Sequence, residues 1–168
     1  KKLYFALKYF EKSIKYFPDE REAYFHRGNI LLKQGKLELG IDHFENMSNR
    51  WPEDAKSYYN IGVFLKEMKK PEQAAEQFKK AISLDGKYIL ARYILATTLS
   101  EQGKLDEAKQ HFEKLLEVDA EQFLVHNKLS FIFLKQKNFE QASAYFAESL
   151  RLNPKQPEIV YYMARLSR

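Results

Sequence analysis

The sequence predicts an all-α solenoid of stacked helix pairs, and three observations carry that prediction. Phe10, Phe44, Phe78, Phe112 and Phe146 follow one another at intervals of 34 residues. Four residues before each stands a small residue (Ala6, Gly40, Ala74, Ala108, Ala142), and eighteen residues after each stands another (Gly28, Gly62, Ala96, Ser130, Ala164). Between them, apolar and small residues recur at i, i+3, i+4, i+7, the spacing of one helical face. A fixed period of this length marks a unit that buries its apolar face only by stacking on its neighbours.

Composition fits that class. The chain has 168 residues, 45% of them hydrophobic and 15% aromatic, enough to build a folded core. Its 28 Lys and Arg against 23 Asp and Glu leave a net charge of +5, but the two signs are interspersed. That pattern describes a solvated surface and argues against nucleic acid as the partner. With no cysteine, disulfides and thiolate metal sites are excluded. No apolar run reaches the length of a membrane span, and no signal peptide is visible. The chain starts and stops inside repeats, so the expectation is a segment of a longer protein. The compartment stays open, with the cytoplasm favoured.

Taking position 1 of the repeat at Arg21, Ala55, Ile89 and Phe123, the elements follow in order. Residues 1–20 read as the second helix of a truncated repeat, with Ala6, Phe10 and Ile14 turned toward the next unit. The basic and aromatic character of this segment also suits a membrane surface, yet the register accounts for the same residues. The full repeats are 21–54, 55–88, 89–122 and 123–156. Their first helical faces are Tyr24-Arg27-Gly28-Leu31, Tyr58-Ile61-Gly62-Leu65, Arg92-Leu95-Ala96-Leu99 and His126-Leu129-Ser130-Phe133. Their second faces are Leu37-Gly40-Phe44-Ser48, Pro71-Ala74-Phe78-Ile82, Leu105-Ala108-Phe112-Leu116 and Phe139-Ala142-Phe146-Leu150. Gln34-Gly35-Lys36 and Gln102-Gly103-Lys104 supply turns in which glycine ends a helix in the left-handed conformation. Pro71 falls in the first turn of its helix, where proline is tolerated. Units close near Pro18, Pro52, Gly86, Ala120 and Pro154. Residues 157–168 form the first helix of a further repeat, with Ile159, Val160, Met163, Ala164 and Ser167 inward. About ten helices result.

This pattern resembles the tetratricopeptide repeat. The period, the small residues at positions 8 and 20, the aromatic at 24 and the terminal proline all match, over the whole chain. The resemblance implies antiparallel helix pairs, A and B, in a right-handed superhelix whose concave face is lined by the A helices. Departures are local. Met47 and Leu115 occupy position 27, where the family prefers a small residue, so packing adjusts there. Arg27, Arg92 and His126 replace apolar or aromatic residues, and such side chains can lay their stems on apolar surface with the charge in water.

The resemblance also implies a function, a non-catalytic protein-interaction scaffold whose groove is lined by positions 2, 5, 6, 9, 12 and 13 of the A helices. Position 5 reads Phe25, Tyr59, Tyr93, Asn127, Tyr161. Around these stand Val63, Leu90, Leu124, Phe131 and Leu134, with Asn29, Asn60, Asn127 and Lys128 to orient a peptide. Phe133 faces the core. Aromatic anchors offer a large contact area at low entropic cost, and asparagine both donates to and accepts from a peptide backbone.

Two subtypes of the family match poorly. The residues at the carboxylate-clamp positions are Phe25, Asn29, Asn60, Leu90 and Ile94, which keep both asparagines and lack all three cations. The row where some members carry an asparagine ladder reads His26, Asn60, Ile94, Lys128, Tyr162, with one rung. Catalysis has no support either. There is no His-Glu-x-x-His, no phosphate loop and no nucleophile elbow, and His43 and His111 fall two units apart. No metal or cofactor is expected. The alternatives are an assembly element that associates end to end as a homodimer or through its convex face, or an accessory domain of a larger enzyme or membrane protein.

Overall fold

Helix starts recur at two repeat positions. In the computed structural model, which describes residues 2–166, α1 (Lys2–Tyr16) comes first. Then α2 (Arg21–Lys33), α4 (Ala55–Glu67), α6 (Ile89–Glu101) and α8 (Phe123–Lys135) each begin at repeat position 1. α3 (Leu37–Arg50), α5 (Pro71–Leu84), α7 (Leu105–Val118) and α9 (Phe139–Leu152) each begin at position 17. α10 (Pro157–Leu166) follows. The described residues thus form ten helices and no strand, the all-α repeat solenoid that the periodicity predicts.

The same backbone device ends every A helix of the full repeats. Gly35, Lys69, Gly103 and Lys137, all at position 15, have φ of 68°, 58°, 80° and 59°. The next N–H then reaches back to the carbonyl five residues earlier, at 2.9–3.0 Å: Lys36 to Leu31, Lys70 to Leu65, Lys104 to Leu99 and Asn138 to Phe133. This is a Schellman closure, which satisfies carbonyls that the helix end leaves open. The sequence signals it at the two glycines and hides it at the two lysines. Two helix starts have side-chain caps, with Asp54 Oδ2 accepting from Ser57 N at 2.9 Å and Asn138 Oδ1 from Gln141 N at 3.1 Å, and Pro71 opens α5.

The chain divides into two units, Lys1–Tyr88 with α1–α5 and Ile89–Arg168 with α6–α10. In the N-terminal unit Phe44, Phe64 and Phe78 are buried against helices that carry glycine at the contact. A Cβ added to Gly62 would lie 2.6 Å from Phe78 Cε1, and one on Gly28 or Gly40 would collide with the ring of Phe44 or Phe64. Close crossing is therefore a consequence of the small residue, and the ring fills the space it leaves. In the C-terminal unit Phe112 and Phe146 are fully buried, beside Leu95, Leu99, Leu129 and Ile132. Met47 and Leu115, large residues at position 27, are both buried and absorbed.

Two expectations about polar residues change. His126 does not keep its ring in water: it is 7% exposed, and its Nε2–H donates to Ala120 O at 2.8 Å. An imidazole is short, so it cannot reach solvent as a lysine stem does. Arg27 is held inside a network, its Nη1 donating to His43 Nδ1 at 2.7 Å, with Glu11 of α1 at 4.0 Å. On α10, Ile159 is buried, whereas Val160 and Ala164 are exposed, because no helix among the described residues covers that side. Ser167 lies outside the described residues. α1 contains no fully buried residue, and Phe10 is half-buried, stacked on His26 at 5.0 Å.

Candidate partner-binding face

The aromatic row at position 5 is part of each repeat's own packing. Phe25 lies 6.0 Å from Phe44, Tyr59 5.8 Å from Phe78, and Tyr93 5.8 Å from Phe112, each ring half-buried on the position-24 phenylalanine of its repeat. The fourth repeat has Asn127 there, and other rings take the place. Phe131 sits edge-on to Phe146 at 5.3 Å and to Tyr162 at 5.1 Å, while Tyr162 stacks on Phe146 at 5.9 Å. What these rings offer a partner is an edge or one face.

A second row completes them. Position 34 carries Asp54, Tyr88, Gln122 and Gln156, each 29 residues after a position-5 side chain. Tyr88 lies 5.2 Å from Tyr59. Its hydroxyl pKa is pushed up to about 12, first by burial and then by the charges of Tyr59, Asp54 and Asp85; burial raises Tyr59 too. Asn127 Nδ2 donates to Gln156 Oε1 at 2.7 Å. The orientation of both amides is determined, because Gln156 Nε2 already donates to Asn153 O at 2.8 Å and to Ser149 O and Oγ at 3.0 Å. Asn127 Oδ1 is then left buried with no donor among the described residues. Position 34 was not singled out from the sequence. The available signal was a like pair at a separation of 29 in two of the four full repeats: Tyr59 with Tyr88, Asn127 with Gln156.

In the C-terminal unit these rows frame successive hollows. One, of about 530 Å³, is lined by Ile89, Leu90, Tyr93, Gln122, Phe123, Leu124 and Val125, with Glu121 as its one carboxylate. It is overwhelmingly apolar, and Leu90 and Leu124 are 49% and 53% exposed. The next, of about 410 Å³, has Leu124 as shared wall and adds Asn127, Lys128, Phe131, Lys155 and Glu158. A third places Lys128 and Phe131 beside Thr97, Glu101 and Lys135. The structure therefore brings Leu90, Tyr93, Leu124, Asn127, Lys128 and Phe131 together. Leu134 is half-buried next to them in sequence, and Tyr161 is exposed, with the Arg165 guanidinium 5.8 Å over its ring.

The N-terminal unit presents its own set. Asn29 is exposed and Val63 half-buried. Asn60 Nδ2 donates to Lys56 O, one turn back on its own helix, at 2.7 Å, and Lys56 Nζ lies 5.5 Å over the Phe25 ring. Phe133 meets the core expectation and stacks on Tyr145 at 5.4 Å.

Buried titratable groups have structural partners. His43 Nε2–H donates to Tyr24 O at 2.8 Å, which leaves Nδ1 to accept from Arg27. Burial chiefly, and the Arg27 charge besides, hold this imidazole below its usual pKa against the opposing backbone bond. Among the described residues no group of three His, Cys, Asp or Glu could hold a metal ion, and no helix is long and apolar enough to cross a membrane.

Comparison with known families follows the same register. Tetratricopeptide repeat models match residues 6–47, 65–130 and 123–156. No curated relative matches the chain in sequence. Among solved structures, MamA from Desulfovibrio magneticus RS-1 superposes with a TM-score of 0.80 at 15% identity, over 88% of this chain and 84% of that one. YrrB, a TPR protein with an unusual peptide-binding site, gives a TM-score of 0.78 at 21% identity, over 96% and 83%. PilF of Pseudomonas aeruginosa gives 0.74 at 28% identity, over 87% and 67%. The first two likenesses are of fold alone.

Proposed function

The chain belongs to the tetratricopeptide repeat family, a family of protein-interaction scaffolds, and we propose that its own role is the non-catalytic capture of an extended peptide or partner segment on the A-helix face. The observation that carries this reading is the pair of adjoining hollows in the C-terminal unit, with Leu90 and Leu124 exposed at their rims. Leucines left in water around a concavity mark a surface that gains by being covered. Tyr93 and Phe131 act as anchors that are already held by Phe112 and Phe146, so little freedom is lost when a ligand packs on them. Phe25, Asn29, Tyr59, Asn60 and Val63 give the N-terminal unit a separate A-helix face of similar kind. The peptide-binding site of YrrB is a precedent on the same fold.

A second reading has its own observation. α1 leaves Leu3, Tyr4, Phe5, Tyr9 and Tyr16 exposed, which suits an element that assembles through its terminal helix.

Panning a peptide library against the chain and a Leu90→Ser/Leu124→Ser variant separates the two. Both leucines are exposed, so the variant keeps its helicity. Peptides enriched by the parent and lost by the variant support the groove. Equal retention removes it and moves the function to α1 or another face.

A further inference from the structure

The chemistry of the ligand can be read from the two adjoining hollows, in an inference that rests on the groove reading above. They share Leu124 and differ in character. The first is walled by Leu90, Tyr93 and Leu124 and accepts an apolar side chain. The second holds Lys128 and Lys155, with Glu158 as its one carboxylate. Lys128 also reaches the third hollow beside Lys135, whose carboxylate, Glu101, already has an interaction of its own.

Among the described residues no ion pair engages Lys128, Lys135 or Lys155. Lys128 is half-buried, where partial exclusion of water strengthens attraction to an anion. Asn127 lines the basic hollow, and its Oδ1 is buried and without a donor among the described residues. An unsatisfied acceptor of this kind carries a desolvation cost. Gln156 cannot be that donor, since its Nε2 is committed to Ser149 and Asn153.

From the apolar hollow and the unpaired lysines beside it, we infer that the C-terminal unit recognises an extended protein segment that carries both apolar and acidic side chains. The apolar side chain enters the hollow of Leu90, Tyr93 and Leu124. The carboxylate sits at Lys128 and Lys155. This differs from a terminal-carboxylate clamp in that one residue type need not end the ligand, and the anionic contact lies beside an apolar one on a shared leucine.

The test is fluorescence anisotropy with the full chain. Two fluorescein-labelled peptides are compared, one alternating Glu with Phe and Leu, the other with every Glu replaced by Lys. The acidic peptide should bind at least about tenfold more tightly and weaken as salt rises. In Lys128→Glu/Lys155→Glu the preference should reverse toward the lysine peptide. Equal binding of the two peptides, an acidic preference that survives the double reversal, or no binding of either overturns the inference. Leu90→Ser/Leu124→Ser keeps its failure distinct from that of the groove. If both peptides bind the parent equally and both are lost by this variant, the acidic requirement goes and the groove stands. If binding ignores this variant, the groove goes too.

Discussion

Asn127 and Gln156, 29 residues apart, share a 2.7 Å hydrogen bond at the two repeat positions where Tyr59 and Tyr88 bring their rings within 5.2 Å. One geometric relation is met by two chemistries, amide with amide and ring with ring. Gln156 also satisfies Ser149 O and Asn153 O, so Gln156→Ala leaves several part-buried groups unpaired. It should lower stability by about 1–3 kcal/mol, read from urea unfolding. The double variant Asn127→Tyr/Gln156→Tyr, which copies the second repeat, should recover part of that loss. A double variant no better than the single would show that the pair is not an independent module.

Phe78 is fully buried and occupies the space that Gly62 leaves open. Phe78→Ala should cost about 3–5 kcal/mol, since the site cannot collapse around a rigid helix crossing. An unfolding midpoint equal to that of the parent would contradict this packing.

Lys69 and Lys137 adopt the left-handed conformation that Gly35 and Gly103 adopt at the same position. A residue with a Cβ pays roughly 1–2 kcal/mol there, partly offset by the greater freedom of glycine when unfolded. Lys69→Gly and Lys137→Gly should therefore each stabilise the chain by about 1 kcal/mol or slightly less. Gly103→Ala should destabilise it. Thermal unfolding of the three variants checks the signs.

His43 gives a pH dependence with a definite sign. Its folded-state pKa is lowered from the ordinary imidazole value of 6.5 by burial and by Arg27, so the unfolded chain takes up the proton more readily. Its contribution to stability is complete above 6.5 and is lost as pH falls from there through the folded pKa. Arg27, which donates to Nδ1 and has Glu11 beside it, faces the ring, and protonation would set two cations against each other. Unfolding midpoints measured at about pH 7.5 and 5.5 should differ more for the parent than for His43→Gln.

Much of the fold was legible because it depends on sequence-local facts. The Phe ladder and its small partners set where helices cross, and helix starts at positions 1 and 17 follow from the apolar spacing. The turns were half legible: Gly35 and Gly103 announce a left-handed residue, whereas Lys69 and Lys137 are forced into it by the bonds Lys70 N to Leu65 O and Asn138 N to Phe133 O. His126 was read as solvated because its type is polar, and only the carbonyl of Ala120 explains its burial. On the candidate face, position 5 and its neighbours were named from the family's pattern. Tyr88, Gln122, Gln156 and Lys155 were not, since they come from the inter-repeat turns, where no helical periodicity points to a face.

The paired positions also bear on how such a face diversifies. Both partners sit within one repeat, so duplication or recombination at a repeat boundary inherits them together, whereas a crossover in the loop between helices A and B parts them. A change at one partner alone passes through a mixed pair. Tyr93 with Gln122 is such a pair, and the apolar hollow lies against it. A mismatch that would count as a flaw in a self-contained core leaves open surface on a scaffold, and that opening is raw material for a new specificity.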